Sequence, residues 1–176
     1  MTNILSWHNS QELKDATIAE VQHPINRNLF EEKFGIPKEL ANLGCSIFDG
    51  LPNEMATEWL LKFLAAIPVG VEINELRKAW NHFAIYILID PNDGVTRFND
   101  SQTIKDVVAL HQRVIDGDTP SREEWAAAFD AARDAVRAAV MDAARAAAND
   151  TACDAAWYAP WIKQAEKLIE ILRKIK

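Results

Sequence analysis

The sequence predicts an all-α protein, on three observations. Residues that start helices (Asn, Ser or Pro ahead of an apolar run) recur along the chain, and Gly or Pro stops follow them. Between these signals apolar residues fall three and four apart, while alternating apolar and polar runs are nearly absent. Only 6 Gly and 7 Pro occur in 176 residues, and most of the Pro stand where helices would start or stop. The expected architecture is a compact multi-helix body over residues 1–118, followed by an alanine-rich helix and a closing amphipathic helix over 119–176. The last two form a helical hairpin packed on the body or continuing from it, and the composition shift at 119 marks the boundary.

Asn9 or Ser10 caps a first helix, with Leu13, Ala16 and Ile18 at helical spacing and Pro24 ending it. "NLFEEKFG" reads as two turns stopped by Gly35. Pro37 takes the first position of a helix running through Leu40, Leu43, Ile47 and Phe48 until "DGLP" breaks it. In "NEMATEWLLKFLAAIPVG" a broad apolar stripe joins Met55, Trp59, Leu60, Phe63, Leu64 and Ile67. A helix from about Asn74 to Asp90 carries Leu76, Trp80, Phe83, Ile87 and Leu88, and "DPNDG" is a turn. "VTRF" reads as briefly extended. "NDSQTIKDVVALHQRVIDG" is a capped helix stopped by Gly117.

In "SREE" the Ser121 hydroxyl and the Glu124 carboxylate form a capping box, each satisfying a backbone N–H of the other. Nothing then breaks the helix until Asn149-Asp150-Thr151, so it extends for roughly 28 residues, or about 42 Å. Pro160 marks a kink or a fresh start before "PWIKQAEKLIEILRKIK".

The alanine-rich stretch "DAARDAVRAAVMDAARAAANDTACDAA" returns to Asp at steps of four. A helix turns about 400° in four residues, so the Asp row spirals and cannot hold one face. Phe129, Ala132, Val136, Val140, Ala143 and Ala147 keep helical spacing and make a shallow seam. Asp130 with Arg133, Asp134 with Arg137 and Asp142 with Arg145 are pairs three apart, each worth about a few tenths of a kcal/mol. The segment is either a high-propensity packing helix or a helix that docks a partner. A long heptad coiled coil is disfavoured because large residues do not recur at its seam. Mimicry of nucleic acid is disfavoured because the arginines neutralise much of the Asp row.

The net charge of −7 argues against direct nucleic-acid binding, which needs a basic field. The longest apolar run, "FAIYILI", is too short to span a bilayer, and the N-terminal residues have neither a basic nor an apolar leader region. A soluble, cytoplasmic protein is expected. Cys45 and Cys153 are far apart and form no CxxC, so they read as small core residues in a reducing compartment. No nucleotide-binding, zinc-protease or nucleophile-elbow motif occurs, and no cofactor or metal is expected. His8, His23, His82 and His111 are scattered, and the last two lie on apolar helices as surface or hydrogen-bonded core residues.

Trp59 and Trp80 sit on apolar stripes and belong to the core, whereas Trp125, Trp157 and Trp161 bracket the alanine helix. These three either fill its ends or stay exposed to hold a partner. If the hairpin docks a partner, the contacts fall on the large side chains that interrupt the alanine background: Trp125, Arg133, Arg137, Arg145 and Trp157.

"GIPKELANLGCSIFDGLPNEMATEWLLKFLAAIPVG", "LIDPNDGV", "SREEWAAAFDAARDAVRAAV" and "KQAEKLIEILRKI" together resemble an uncharacterised family of bacterial and phage-borne proteins. Members of that family have a helical front part and an Ala/Asp/Arg-rich tail. The resemblance covers about residues 34–175 and implies no catalytic residues. It implies association with mobile elements, and so a non-enzymatic protein that binds and blocks a bacterial defence component, in the manner of an anti-CRISPR. The alternatives are an immunity protein that neutralises a toxin, an enzyme whose site is built from dispersed residues, and a structural or oligomerisation module. The expected partner is a protein, with self-association left open.

Overall fold

The computed structural model describes residues 35–98, 100–133 and 153–175, with side chains in the last segment from Tyr158 onward. The expected first helix, the turns of "NLFEEKF" and the alanine-rich helix beyond Arg133 lie outside the described residues. The protein is all-α, and no strand occurs among the described residues. Its helices are α1 (Lys38–Gly50), α2 (Asn53–Ala66), α3 (Ile73–Ile89) and α4 (Gln102–Ile115). They are followed by α5, described over 122–133, and α6 (Cys153–Lys174). No described helix is long and apolar enough to cross a membrane.

The contacts divide the chain into two units, one of residues 1–80 with 157–176 and one of residues 81–156. These divisions fall at Trp80 and Trp157, whereas the composition changes at residue 119.

In the first unit Pro37 stands one position earlier than expected, as the cap, and its carbonyl accepts from the Ala41 N–H at 2.9 Å. Pro52 repeats the arrangement for α2, accepting from Met55 and Ala56 at 2.8 and 2.9 Å. A proline in each place supplies a carbonyl to the first turn and gives up only an N–H that the helix would leave unpaired. The α2 stripe is buried as expected through Trp59, Leu60, Phe63, Leu64 and Ile67. Met55 is the exception, at 41% exposed, because Ala56 takes the core-facing place in the first turn.

Two glycines in α1 set how closely the helices approach. A Cβ on Gly44 would lie 3.3 Å from the Phe63 ring, and one on Gly50 would overlap the six-membered ring of Trp161. Trp161 is thus packed, half-buried, against the end of α1. Trp59 stacks on Phe63 with centroids 5.3 Å apart, and its indole N–H donates to the Ala165 carbonyl at 3.1 Å. From α6, Ala165, Leu168, Ile169 and Leu172 complete the buried set, and Pro160 lies inside the helix instead of ending it. Cys45 is buried, as expected of a small core residue.

In the second unit the end of α3 leads into an Asx turn, with Asp90 Oδ1 accepting from the Asn92 and Asp93 N–H groups at 2.9 and 3.0 Å. The segment expected to be extended is a 3₁₀ turn, Val95–Arg97. Its backbone donors close locally, Arg97 onto Gly94 and Phe98 onto Val95. Ser101 caps α4 through the Ile104 N–H at 3.4 Å. Gly117, at φ 93°, ends that helix in the left-handed region that favours glycine.

Trp59→Ala is expected to cost about 3–5 kcal/mol in denaturant unfolding, because it opens a cavity and removes the indole donor. Glu58→Gln breaks only the exposed pair with Lys62 and is expected to leave the midpoint unchanged. Equal losses in the two variants would contradict this placement of the core. Gly50→Ala is expected to lower stability by expelling Trp161, and the emission of that indole should shift to the red.

Candidate functional site

The junction between α4 and α5, within the second unit, gathers the chain's most differentiated side chains. His111 on α4 is 5% exposed, and its Nδ1 donates to the Asn81 side-chain oxygen at 2.8 Å. Burial pushes the imidazole down to about 4 because it penalises the charged form. The ring also meets Trp125 edge-on, with centroids 4.8 Å apart at 61°. Trp125 is half-buried and stacks on Phe129 at 5.4 Å and 20°. Phe129 is 53% exposed. A ladder of three rings thus runs from the interior to the surface, with its inner end held by a hydrogen bond.

Beside the ladder, Arg113 Nε donates to Asp118 at 2.6 Å and its Nη1 donates to Glu124 at 2.5 Å. Glu124 also accepts from the Ser121 N–H at 2.7 Å, while the Glu124 N–H donates to the Ser121 hydroxyl at 3.1 Å. The expected capping box is therefore present, and Arg113 ties it to the preceding helix. Arg113 holds the Asp118 and Glu124 carboxyls below their ordinary range, helped by the N–H groups of Thr119 and Ser121 respectively. These contacts explain why α5 starts where it does and which way its first turns face.

Of the expected partner-binding residues, Trp125 and Arg133 lie on the described part of α5, the first half-buried and the second exposed. Arg137 and Arg145, and the side chain of Trp157, lie outside the described residues. The expected Asp130–Arg133 pair is not formed, and both residues are exposed without an ion pair among the described residues. Phe129 and Ala132 belong to the expected shallow seam, and of the two only Ala132 is buried. The four-residue spacing from Trp125 was the available signal that Phe129 would stack on it. Nothing local pointed to Asn81 as the partner of His111, since they stand 30 residues apart.

A second feature is an open cleft of about 500 Å³ lined by Ile89, Pro91, Thr96, Arg97, Asp100, Lys105 and Val108. Its charges are already engaged. Lys105 pairs with Asp100 at 2.8 Å, while Arg97 donates to the Asn92 carbonyl and lies 5.4 Å from the centre of the Phe98 ring. The remaining lining is aliphatic apart from the Thr96 hydroxyl. Among the described residues no group of three or more His, Cys, Asp or Glu could hold a metal ion.

The junction makes stability depend on pH. His111 titrates near 4 in the folded chain against an ordinary value of 6.5, so the unfolded chain takes up its proton first as pH falls. Stability is then full above pH 6.5 and declines between 6.5 and about 4, with a slope of at most about 1.4 kcal/mol per pH unit. Asp118 and Glu124 contribute in the same sense at lower pH, since their stabilisation is lost as pH falls through their lowered values. His111→Gln keeps a partner for Asn81 and is expected to flatten the upper part of this profile. A slope unchanged by that substitution, in melts at a series of pH values, would show that His111 is not its source.

No protein-family model, curated protein or solved structure matches the chain.

Proposed function

We propose that this is a non-enzymatic, protein-binding protein that docks its partner through the exposed side of α5. One observation carries the reading: Phe129, the most exposed of the large apolar side chains described, is held in place by stacking on a half-buried tryptophan. An exposed aromatic normally loses rotamer freedom when it binds. A ring already fixed by its neighbours loses less, and more of its contact energy remains as affinity. Aromatic and Arg side chains also dominate binding hot spots, and Trp125, Phe129 and Arg133 occupy three consecutive turns.

The non-enzymatic part of the reading is supported by how the titratable groups are used. Of the two described histidines, His82 is exposed on its helix, and His111 is engaged with Asn81 and Trp125. Of the ionic groups lining the cleft, Lys105 and Asp100 pair with each other and Arg97 donates to the Asn92 carbonyl, so they do not converge on a shared point. A role in blocking a bacterial defence component, or in neutralising a toxin as an immunity protein, rests on the resemblance to phage-borne proteins. The neighbouring genes distinguish these two: a cluster of small phage genes favours the first and an adjacent toxin gene the second.

The test is affinity capture with the full chain from the host, followed by calorimetry with the protein identified. Phe129→Ala is expected to weaken binding by at least about tenfold, the loss of an aromatic hot spot, with an unchanged melting temperature. Unchanged affinity would remove this face of α5 from the interface.

A further inference from the structure

The exposed side of α5 carries a distinct charge pattern. Arg122, Ala126, Phe129 and Arg133 are all exposed. At 100° per residue they fall within about 60° of one another around the helix axis, forming one stripe. Phe129 stands about 10 Å along the axis from Arg122 and about 6 Å from Arg133, at 1.5 Å per residue. Neither arginine is ion-paired among the described residues, whereas Arg113 in the same unit is bound to two carboxylates. The chain as a whole carries a net charge of −7, so two unpaired guanidiniums flanking an exposed ring stand out from its general character. Glu123 and Asp130, also exposed and unpaired among the described residues, lie along one edge of the stripe. They oppose a continuous polyanion such as a nucleic-acid backbone and leave room for separate, spaced carboxylates.

We propose that this stripe binds an acidic protein segment in which an apolar side chain, packing on Phe129, is flanked by carboxylates that reach Arg122 and Arg133. The proposal rests on the protein-binding reading and adds the chemistry of the partner to it. Arginine suits the task because its planar fork takes a carboxylate through two parallel hydrogen bonds. Ala126, between Arg122 and Phe129, lets the partner's backbone come close to the helix. The edge carboxylates fix the direction in which an acidic segment can lie, since the wrong orientation sets like charges together.

The test uses a peptide library displayed on phage and selected against the full-length chain. The recovered peptides are then titrated by calorimetry against the unsubstituted chain, the Arg122→Glu/Arg133→Glu double variant and Phe129→Ala. The selected sequences are expected to place Asp or Glu on both sides of Leu, Phe or Trp, and their binding should weaken as salt rises. The double reversal should cost about tenfold or more, with helical content and melting temperature unchanged. Exchanging the peptide's acids for Lys should restore binding to the reversed variant, which a misfolded protein could not show. Selected peptides without acidic enrichment, or peptides indifferent to the double reversal, would overturn the assignment. Arg-dependent binding of duplex DNA at comparable affinity would also overturn it, by showing a general polyanion site. Capture of a host protein whose affinity ignores the reversal leaves protein binding standing and removes only this surface. Failure to capture any partner removes the reading beneath it.

Discussion

The first unit depends on one tryptophan. Trp59 stacks on Phe63, and its N–H reaches a carbonyl 106 residues further along the chain. A buried indole has a large apolar area to hide and one polar group to satisfy, and the Ala165 carbonyl meets the second need. The bond sets α6 in register against α2, and the surrounding packing follows from that register. Gly44 leaves space for the Phe63 ring, and Gly50 leaves space for Trp161. Helix faces can meet this closely only where one side offers no Cβ. Two glycines in α1 and one tryptophan in α2 therefore determine where the closing helix lies.

The second unit solves a different problem, the start of a helix in which alanine fills 126–128 and 131–132 and offers little to hold it. Alanine favours helix but contributes little burial. The first turns of α5 are instead held by polar and aromatic contacts, namely the reciprocal cap, the Arg113 pairs and the edge of His111 against Trp125. A buried imidazole is retained there at the cost of acid sensitivity, because burial penalises its charged form.

These two observations bear on recognition. A helix held by one side of its first turns leaves the other side free, and at this position that free side carries Phe129 and two arginines. The stack that ends at Phe129 begins at a buried hydrogen bond, so the surface ring is joined by contacts to the interior. Rigid aromatic surfaces bind with a smaller ordering cost than flexible ones. The fold and the proposed activity therefore draw on the same contacts.

The sequence by itself determined the helical class and most helix ends. Each of those depends on residues within about four positions: Ser101 and Ser121 as caps, Gly117 as a stop, and the three-and-four spacing of Leu60, Phe63, Leu64 and Ile67. Local rules failed where a local feature had two outcomes. "VTRF" closes its backbone donors in a 3₁₀ turn, and in the first turn of α2 the core-facing place goes to Ala56 and not to Met55. The tertiary structure alone decided that Trp59 meets Ala165, that His111 meets Asn81, and that Phe129 faces outward while Ala132 faces in. Helical periodicity defines which residues share a face, but the face that is buried is chosen by the elements that come to lie against it. That choice depends on residues tens of positions away, and no short stretch of sequence records it.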